Sequence, residues 1–86
     1  MSLTELQNLQ QAHKKTVGSK QTLKAVQRGQ AKVVYIARDA EKQVTEDILL
    51  ICSSQDIPVV EVETMRTLGR ACGIEVTCAA AAVIEA

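Results

Sequence analysis

Aromatic side chains are nearly absent from this chain. Tyr35 is its only aromatic residue, and it contains neither Phe nor Trp. Proteins that bind single-stranded nucleic acid stack the bases on aromatic side chains. Because Tyr35 falls in a run that we predict to be a buried strand, the composition disfavours aromatic RNA-binding sheets and oligonucleotide-binding barrels. The core must instead be built from Val, Ile, Leu and Ala.

The residues of common catalytic and metal sites are also scarce. A hydrolytic triad needs a base beside a nucleophile and an acid, and the only histidine, His13, is followed directly by two lysines. The absence of a C-x-x-C pair and of a His/Cys cluster argues against a zinc site. Dinucleotide-binding and P-loop patterns are absent too. We therefore expect a non-enzymatic protein with no catalytic residue, no metal and no cofactor.

Cysteines and long apolar runs are limited as well. The chain has three cysteines, Cys52, Cys72 and Cys78, an odd number that argues against a disulfide framework. We expect them to pack as small hydrophobic side chains. No apolar run approaches the roughly 20 residues of a membrane helix, and the N-terminal segment lacks the layout of a signal peptide. The expected location is the cytoplasm, with no membrane partner.

The length and the hydrophobic content fit one small globular unit. The 86 residues are 47% hydrophobic, which is typical of a folded protein. This is enough sequence for one core and too little for two. We expect residues 1–86 to form a single domain. We also expect the protein to be a monomer.

The charges cancel overall but are divided along the chain. Residues 1–42 contain eight Lys or Arg and three acids, about +5, whereas residues 43–86 contain two Arg and seven acids, about −5. This division indicates either an anionic partner for the first half or a solvated surface with unevenly spread charges. Charge alone leaves both readings open.

Helical and strand patterns alternate along the chain. We predict an amphipathic first helix that ends with Lys14 and Lys15, and helices over about 20–28, 43–54 and 65–72. Ser19 and Thr64 are the predicted N-caps of the second and fourth helices, and Gly29 and Gly73 follow their ends. Strands are predicted over 33–37, 59–62 and about 78–84. This order predicts a layered α/β domain.

The final segment, CAAAAVIEA, is the most ambiguous. Alanine favours helix, whereas Val83 and Ile84 favour strand. We predict a strand whose small side chains let a helix pack close to the sheet.

The segment GSKQTLKAVQRG, residues 18–29, places like charges where a helix normally avoids them. Lys20 lies in the first turn, where a cation opposes the helix dipole. Lys20, Lys24 and Arg28 are spaced four apart, so neighbouring cations repel each other along one face. An anion at the helix start would relieve both effects, and the amide of Gln21 suits base edges. A solvated helix face remains the alternative.

The same segment, with VVYIARDAE (33–41) and LGRACGIEVTCAAAAVIEA (68–86), resembles the kink-turn RNA-binding family of ribosomal proteins L7Ae and L30e. The family pattern is Gly-x-Asn-Glu-x-x-Lys at a helix start. Gly18 and Lys24 match it, whereas Lys20 and Gln21 replace the Asn and the Glu. The Lys-Gln form resembles small bacterial, ribosome-associated members. The resemblance covers nearly the whole chain.

The resemblance implies a three-layer α/β/α sandwich around a mixed four-stranded sheet. It also implies binding to kink-turn RNA, a bend whose stem contains tandem sheared G·A pairs, as part of a ribonucleoprotein. Association with the ribosome is a further expectation. Gly18 and Ser19 would lie near phosphate, the next side chains would address guanine edges, and an exposed loop from Ile74 would cover flipped-out bases. The implied RNA-binding residues are Gly18, Ser19, Lys20, Gln21, Lys24, Arg28, Asp39, Ile74, Glu75 and Val76.

A second hypothesis concerns the acidic half of the chain. Glu46, Asp47, Glu61 and Glu63 could meet a basic protein partner, in which case the chain is a protein-interaction module and RNA is irrelevant to it.

Overall fold

The computed structural model describes residues 9, 14–74 and 77–84. The predicted first helix lies outside the described residues apart from Leu9, which is helical and has no exposed surface. The elements in chain order are β1 (Lys15–Val17), α1 (Ser19–Gln27), β2 (Ala31–Ala37), α2 (Lys42–Ser54), β3 (Val59–Val62), α3 (Met65–Ala71) and β4 (Ala80–Ile84). Among the described helices, none has the length and apolar character needed to cross a membrane.

The four strands form one mixed sheet in the order β1-β4-β2-β3. β4 runs antiparallel to both β1 and β2, whereas β2 and β3 are parallel. A parallel pair needs a crossover connection, and α2 supplies it. The expected α/β fold with a mixed four-stranded sheet is confirmed.

Helices cover both faces of the sheet, which gives the three layers. α1 and α2 pack on one face through Val26, Ile48 and Cys52. α3 packs on the other face through Leu68 and Ala71, together with Leu9. The core is therefore aliphatic, and Tyr35 is buried within it at 1% exposure.

The alanine-rich final segment is a strand, as predicted. Ala80 and Ala82 face α1 and α2, whereas Ala81 faces α3, and none of the three has exposed surface. This alternation is the period-two pattern of a strand between two layers. Because a methyl group is short, helices on both sides can lie close to β4.

α1 and α3 end in the same hydrogen-bonding pattern. After α1, Gly29 donates to the Val26 carbonyl at 3.0 Å and Gln30 donates to Ala25 at 2.9 Å. Gly73 and Ile74 make the equivalent bonds after α3, at 3.0 and 3.1 Å. This is the Schellman motif, in which a left-handed residue follows the last turn. The predicted helix ends at Gly29 and Gly73 are correct.

Two predictions at element boundaries are wrong. Lys15, which was expected in a helix, begins β1, because the three-residue segment pairs with β4 from Lys15–Val83 to Val17–Ala81. Ser19, which was expected to cap α1, is its first helical residue, and the N-cap is Gly18, without a side-chain cap. The Thr64 cap of α3 is confirmed, since its hydroxyl accepts the Thr67 N–H at 3.0 Å.

Candidate nucleic-acid interface

Several of the expected site residues lie at one edge of the sheet, the edge formed by the ends of its strands. β1 and β2 end there, and β4 begins there, as the pairs Val17–Ala81 and Ile36–Ala80 show. Gly18 follows β1, Asp39 lies just after β2, and residues 77–79 lead into β4. Segments distant in sequence are therefore neighbours at this edge.

Gly18 joins α1 to the sheet. Its N–H donates to the Ala80 carbonyl at 2.9 Å, and its own carbonyl accepts the Thr22 N–H at 3.1 Å. The Gly18 backbone has φ 98° and ψ 154°, a region that side-chain-bearing residues rarely occupy. A Cβ atom at this position would meet nothing within 4 Å. The backbone conformation, rather than lack of space, therefore requires glycine.

The buried side of α1 fixes which residues face outward. Thr22 and Val26 have no exposed surface, and Ala25 is 3% exposed. Leu23, on the same side of the helix, is half-buried. Burial of these positions turns Lys20, Gln21 and Lys24 to solvent, as the sequence pattern predicts.

The exposed side of α1 is cationic along its length. The first turn contains no acidic residue and no capping side chain, so its N–H groups lack a side-chain partner of the usual kind. Lys20, Lys24 and Arg28 are all exposed, at intervals of about 6 Å along the axis. Arg28 lies roughly 12 Å from Lys20 on this scale. It continues the cationic row but lies away from the edge where Gly18 is found.

Asp39 has a structural contact at this edge. Its carboxylate accepts the Met65 N–H at 2.7 Å, across a separation of 26 residues. Met65 is the first residue of α3, so this acid lies at the positive end of that helix dipole. Sequence pattern does not predict this contact, because it joins residues on two separate connections.

The second expected contact segment is described only in part. Ile74, which was expected to be exposed, is half-buried and packs against the cluster that contains Leu68, Cys72 and Cys78. The reason is that the Schellman turn at Gly73 directs the chain back over the end of α3. Glu75 and Val76 lie outside the described residues.

A groove separates α1 from α2 beside the cationic row. Ser19, Lys20 and Leu23 line one wall, and the other is lined by Gln43, Val44, Asp47 and Ile48. Asp47 and Lys20 therefore line the same groove from opposite walls. Packing of α1 against α2 brings them together, because they lie on separate helices.

Two thiols lie directly behind Gly18. The Cys78 thiol donates to the Ala80 carbonyl, with its sulfur 2.9 Å from the oxygen. The Cys72 thiol and the N–H groups of Gly18 and Ala80 donate to the Cys78 sulfur and lower its pKa to about 6, against the effect of burial. The hydrogen bond to Cys78, followed by burial, raises the pKa of Cys72. The cysteines are free thiols, as expected.

Metal-binding geometry does not occur within residues 9, 14–74 and 77–84. No group of three His, Cys, Asp or Glu side chains among them could hold an ion.

A family profile and several relatives match this chain. The profile of the ribosomal protein L7Ae/L30e/S12e/Gadd45 family matches residues 2–86. An RNA-binding protein of Caldanaerobacter subterraneus subsp. tengcongensis is 49% identical over 69 residues, covering 80% of this chain and 84% of that protein. The RNA-binding protein YbxF of Geobacillus stearothermophilus is 37% identical over 75 residues, covering 87% of this chain and 92% of that one.

Solved structures share the fold. The 15.5kD RNA binding protein of Giardia lamblia has a TM-score of 0.80 at 32% identity, covering 98% of this chain and 73% of that one. A protein of unknown function from Bacillus halodurans C has a TM-score of 0.80 at 33% identity, covering 94% and 81% respectively.

Proposed function

The chain belongs to the ribosomal protein L7Ae/L30e/S12e/Gadd45 family, and we propose that it is a non-enzymatic RNA-binding protein that recognises kink-turn RNA. The observation that carries the proposal is the outward cationic row of α1, which begins at Gly18 without an acid or a side-chain cap in its first turn. Relatives named as RNA-binding proteins support the RNA part. The kink-turn part comes from the resemblance of residues 18–24 to the family pattern.

The start of α1 is suited to an RNA backbone. First-turn N–H groups and the helix dipole attract phosphate. Gly18 carries no side chain, so the backbone of Gly18 and Ser19 can approach an RNA strand closely. Arg28, at the other end of α1, would hold a more distant phosphate.

Base recognition is assigned to the next side chains. Lys20 and Lys24 can donate to guanine O6 and N7, as lysine does in duplex readout. The Gln21 amide can accept from a guanine N–H and can donate as well. Because Gln21 replaces the family's Glu, this contact loses the added strength of a charged acceptor, while one source of repulsion from the RNA is removed.

A second contact would come from Ile74, Glu75 and Val76, which we propose to cover bases flipped out at the bend, with Asp39 beside them. The packing of Ile74 supports this, since it contacts the cluster that contains Cys78, whose thiol donates to the same Ala80 carbonyl as the Gly18 N–H. The inward packing of Ile74 would then hold the loop in place rather than supply its apolar surface.

A gel-shift titration tests the proposal. A kink-turn RNA is compared with a matched RNA in which the tandem G·A pairs are replaced by Watson–Crick pairs. We expect clear preference for the kink-turn. Equal binding to both RNAs, or no binding to either, would contradict it.

The finer parts of the proposal need separate measurements. We propose that residues 1–86 act as a single domain, that the protein is monomeric and cytoplasmic, and that it associates with ribosomes. Light scattering gives the mass in solution, and cell fractionation gives the location. Co-sedimentation with ribosomal particles in a gradient checks the association with ribosomes. Binding to free RNA alone would not produce this co-sedimentation.

A basic protein partner remains the second candidate. Leu49 and Leu50 are 39% and 70% exposed on α2, next to Glu46 and Asp47. Chemical-shift mapping separates the two proposals. Shifts confined to residues 18–28 and 73–77 on addition of RNA support the first, and shifts on α2 only with a basic protein support the second.

A further inference from the structure

Cys72 and Cys78 form a buried thiol pair beneath the candidate interface. They are 5% and 3% exposed, and both belong to the core cluster under α3. Cys72 caps the end of α3, and Cys78 lies two residues before β4. The Cys78 sulfur shares the Ala80 carbonyl with the Gly18 N–H, each at 2.9 Å. The pair therefore connects the end of α3 to the start of α1.

We propose that Cys72 and Cys78 are an oxidisable pair that a hydroperoxide converts into an intrachain disulfide, and that this disulfide weakens RNA binding at Gly18 and the first turn of α1. The first half of this inference stands on the thiol pair alone. The second half rests on the proposed function.

The two thiols have different surroundings, which make Cys78 the attacking thiolate and Cys72 the protonated partner. Donors from Cys72, Gly18 and Ala80 favour the thiolate of Cys78, which is the reactive form of cysteine. Cys72 keeps its proton while it donates to Cys78. Cys52, on the opposite face of the sheet, has a pKa that burial alone raises. It therefore provides an internal reference thiol.

The chemistry balances with one peroxide. The Cys78 thiolate attacks a peroxide oxygen, the O–O bond breaks, and the departing hydroxide takes up a proton as water, leaving a sulfenic acid. The Cys72 sulfur then attacks the Cys78 sulfur. The S–O bond breaks, the S–S bond forms, and a second water leaves with the Cys72 proton. Two thiols and one hydrogen peroxide give one disulfide and two water molecules.

The disulfide would change the contacts behind Gly18. Reduced Cys78 donates to the Ala80 carbonyl when it is protonated, and it accepts the Gly18 N–H as a charged sulfur when it is a thiolate. A disulfide sulfur has neither a proton nor a charge, so it can replace neither interaction. Loss of either one acts on the residue that sets the start of α1. The same bond would tie the end of α3 to Cys78, two residues before β4.

Peptide mapping after peroxide treatment tests the first half. Trypsin cleaves after Arg70, so residues 71–86 form one peptide that holds both thiols, whereas Cys52 lies in residues 43–66. We expect the 71–86 peptide of the folded protein to lose the mass of two hydrogen atoms, reversibly with dithiothreitol, while Cys52 remains alkylatable. Cys52→Ser should behave as wild type. Cys72→Ser should stop at a Cys78 sulfenic acid that dimedone captures.

Several outcomes would overturn this half. They are an unchanged 71–86 peptide, a disulfide that involves Cys52, a covalent dimer, or a Cys72–Cys78 bond that forms only in urea. The last would show that the pair reacts only after unfolding. Cys78→Ser keeps a hydroxyl that can donate to Ala80, so it provides a folded variant that lacks the pair.

Affinity for a kink-turn RNA tests the second half. We expect the oxidised protein to bind at least fivefold more weakly than the reduced protein, with recovery after dithiothreitol and no oxidant effect in Cys78→Ser. Equal affinity of both forms would overturn the control of RNA binding. Absence of binding by the reduced wild type would instead overturn the proposed function, and the control of RNA binding with it. Peptide mapping would still show whether the Cys72–Cys78 disulfide forms.

Discussion

The hydroxyl oxygens of Thr16 and Thr22 lie 2.9 Å apart and join the edge strand β1 to the inner side of α1. Thr22 has no exposed surface, so this bond lies against the core. Only three residues of β1 pair with β4, and the side-chain bond adds to that short ladder. It also restricts rotation of α1, and thereby the direction of Lys20 and Lys24.

Thr22→Val should lower the free energy of unfolding by about 1–2 kcal/mol, because it leaves the half-buried Thr16 hydroxyl without its partner. Chemical denaturation measures the change. The double variant with Thr16→Val removes both polar groups and should recover part of the loss. A double variant that is simply the sum of the two single losses would argue against a bond between the hydroxyls.

Lys24→Ala should weaken binding to a kink-turn RNA by about 1–3 kcal/mol, the usual size of a base contact. Fluorescence anisotropy at fixed salt measures the affinity. Lys14→Ala is the matched control, because Lys14 is exposed and its carbonyl accepts from Ile84 at the opposite edge of the sheet. Equal losses in the two variants would assign to Lys24 only a general electrostatic effect.

Gly18→Ala should destabilise the fold by about 1–3 kcal/mol, since alanine would have to adopt a strained backbone conformation. Thermal unfolding checks the loss. Ser19→Ala is the control and should change little, because Ser19 is not the N-cap. A stable Gly18→Ala protein would mean that the chain can enter α1 with an ordinary backbone.

Asp56→Gly should raise the free energy of unfolding by roughly 0.5 kcal/mol. Asp56 follows α2 with φ 56°, and Ile57 donates to the Cys52 carbonyl at 2.9 Å to complete the Schellman motif. Glycine adopts this conformation without the steric penalty, although its flexible unfolded state offsets part of the gain. Asp56→Ala should destabilise the protein, and the same sign for both variants would contradict this explanation.

The thiol pair should make stability depend on pH. The pKa of Cys78 is lowered to about 6, whereas an unfolded cysteine titrates at about 8.5. Between these values the unfolded chain binds more protons, so the free energy of unfolding rises with pH. Above about 8.5 the raised pKa of Cys72 reverses the sign. Unfolding midpoints across this range, compared with Cys78→Ser, check the slope. If wild type and Cys78→Ser show the same dependence of the unfolding midpoint on pH, the Cys78 thiolate does not contribute to stability.

At the candidate site, the sequence of residues 18–29 predicts the cationic face of α1 but not its cap. The spacing of Lys20, Lys24 and Arg28 was enough to place them on one exposed face, because a helix repeats every 3.6 residues. Which residue caps the helix could not be settled in the same way. The unusual backbone of Gly18 depends on its bond to Ala80, 62 residues later.

The aliphatic core, most of the helices and strands, the glycines that end α1 and α3, and the cationic face of α1 could all be predicted from the amino-acid sequence. Each of these follows from local periodicity, turn chemistry or composition. Four features became visible only in the folded protein. These are the three-residue edge strand β1, the contact of Asp39 with the start of α3, the inward packing of Ile74, and the Ala80 carbonyl that Cys78 shares with Gly18. These depend on contacts between distant segments, whose partners are fixed by how β4 pairs with β1 and β2.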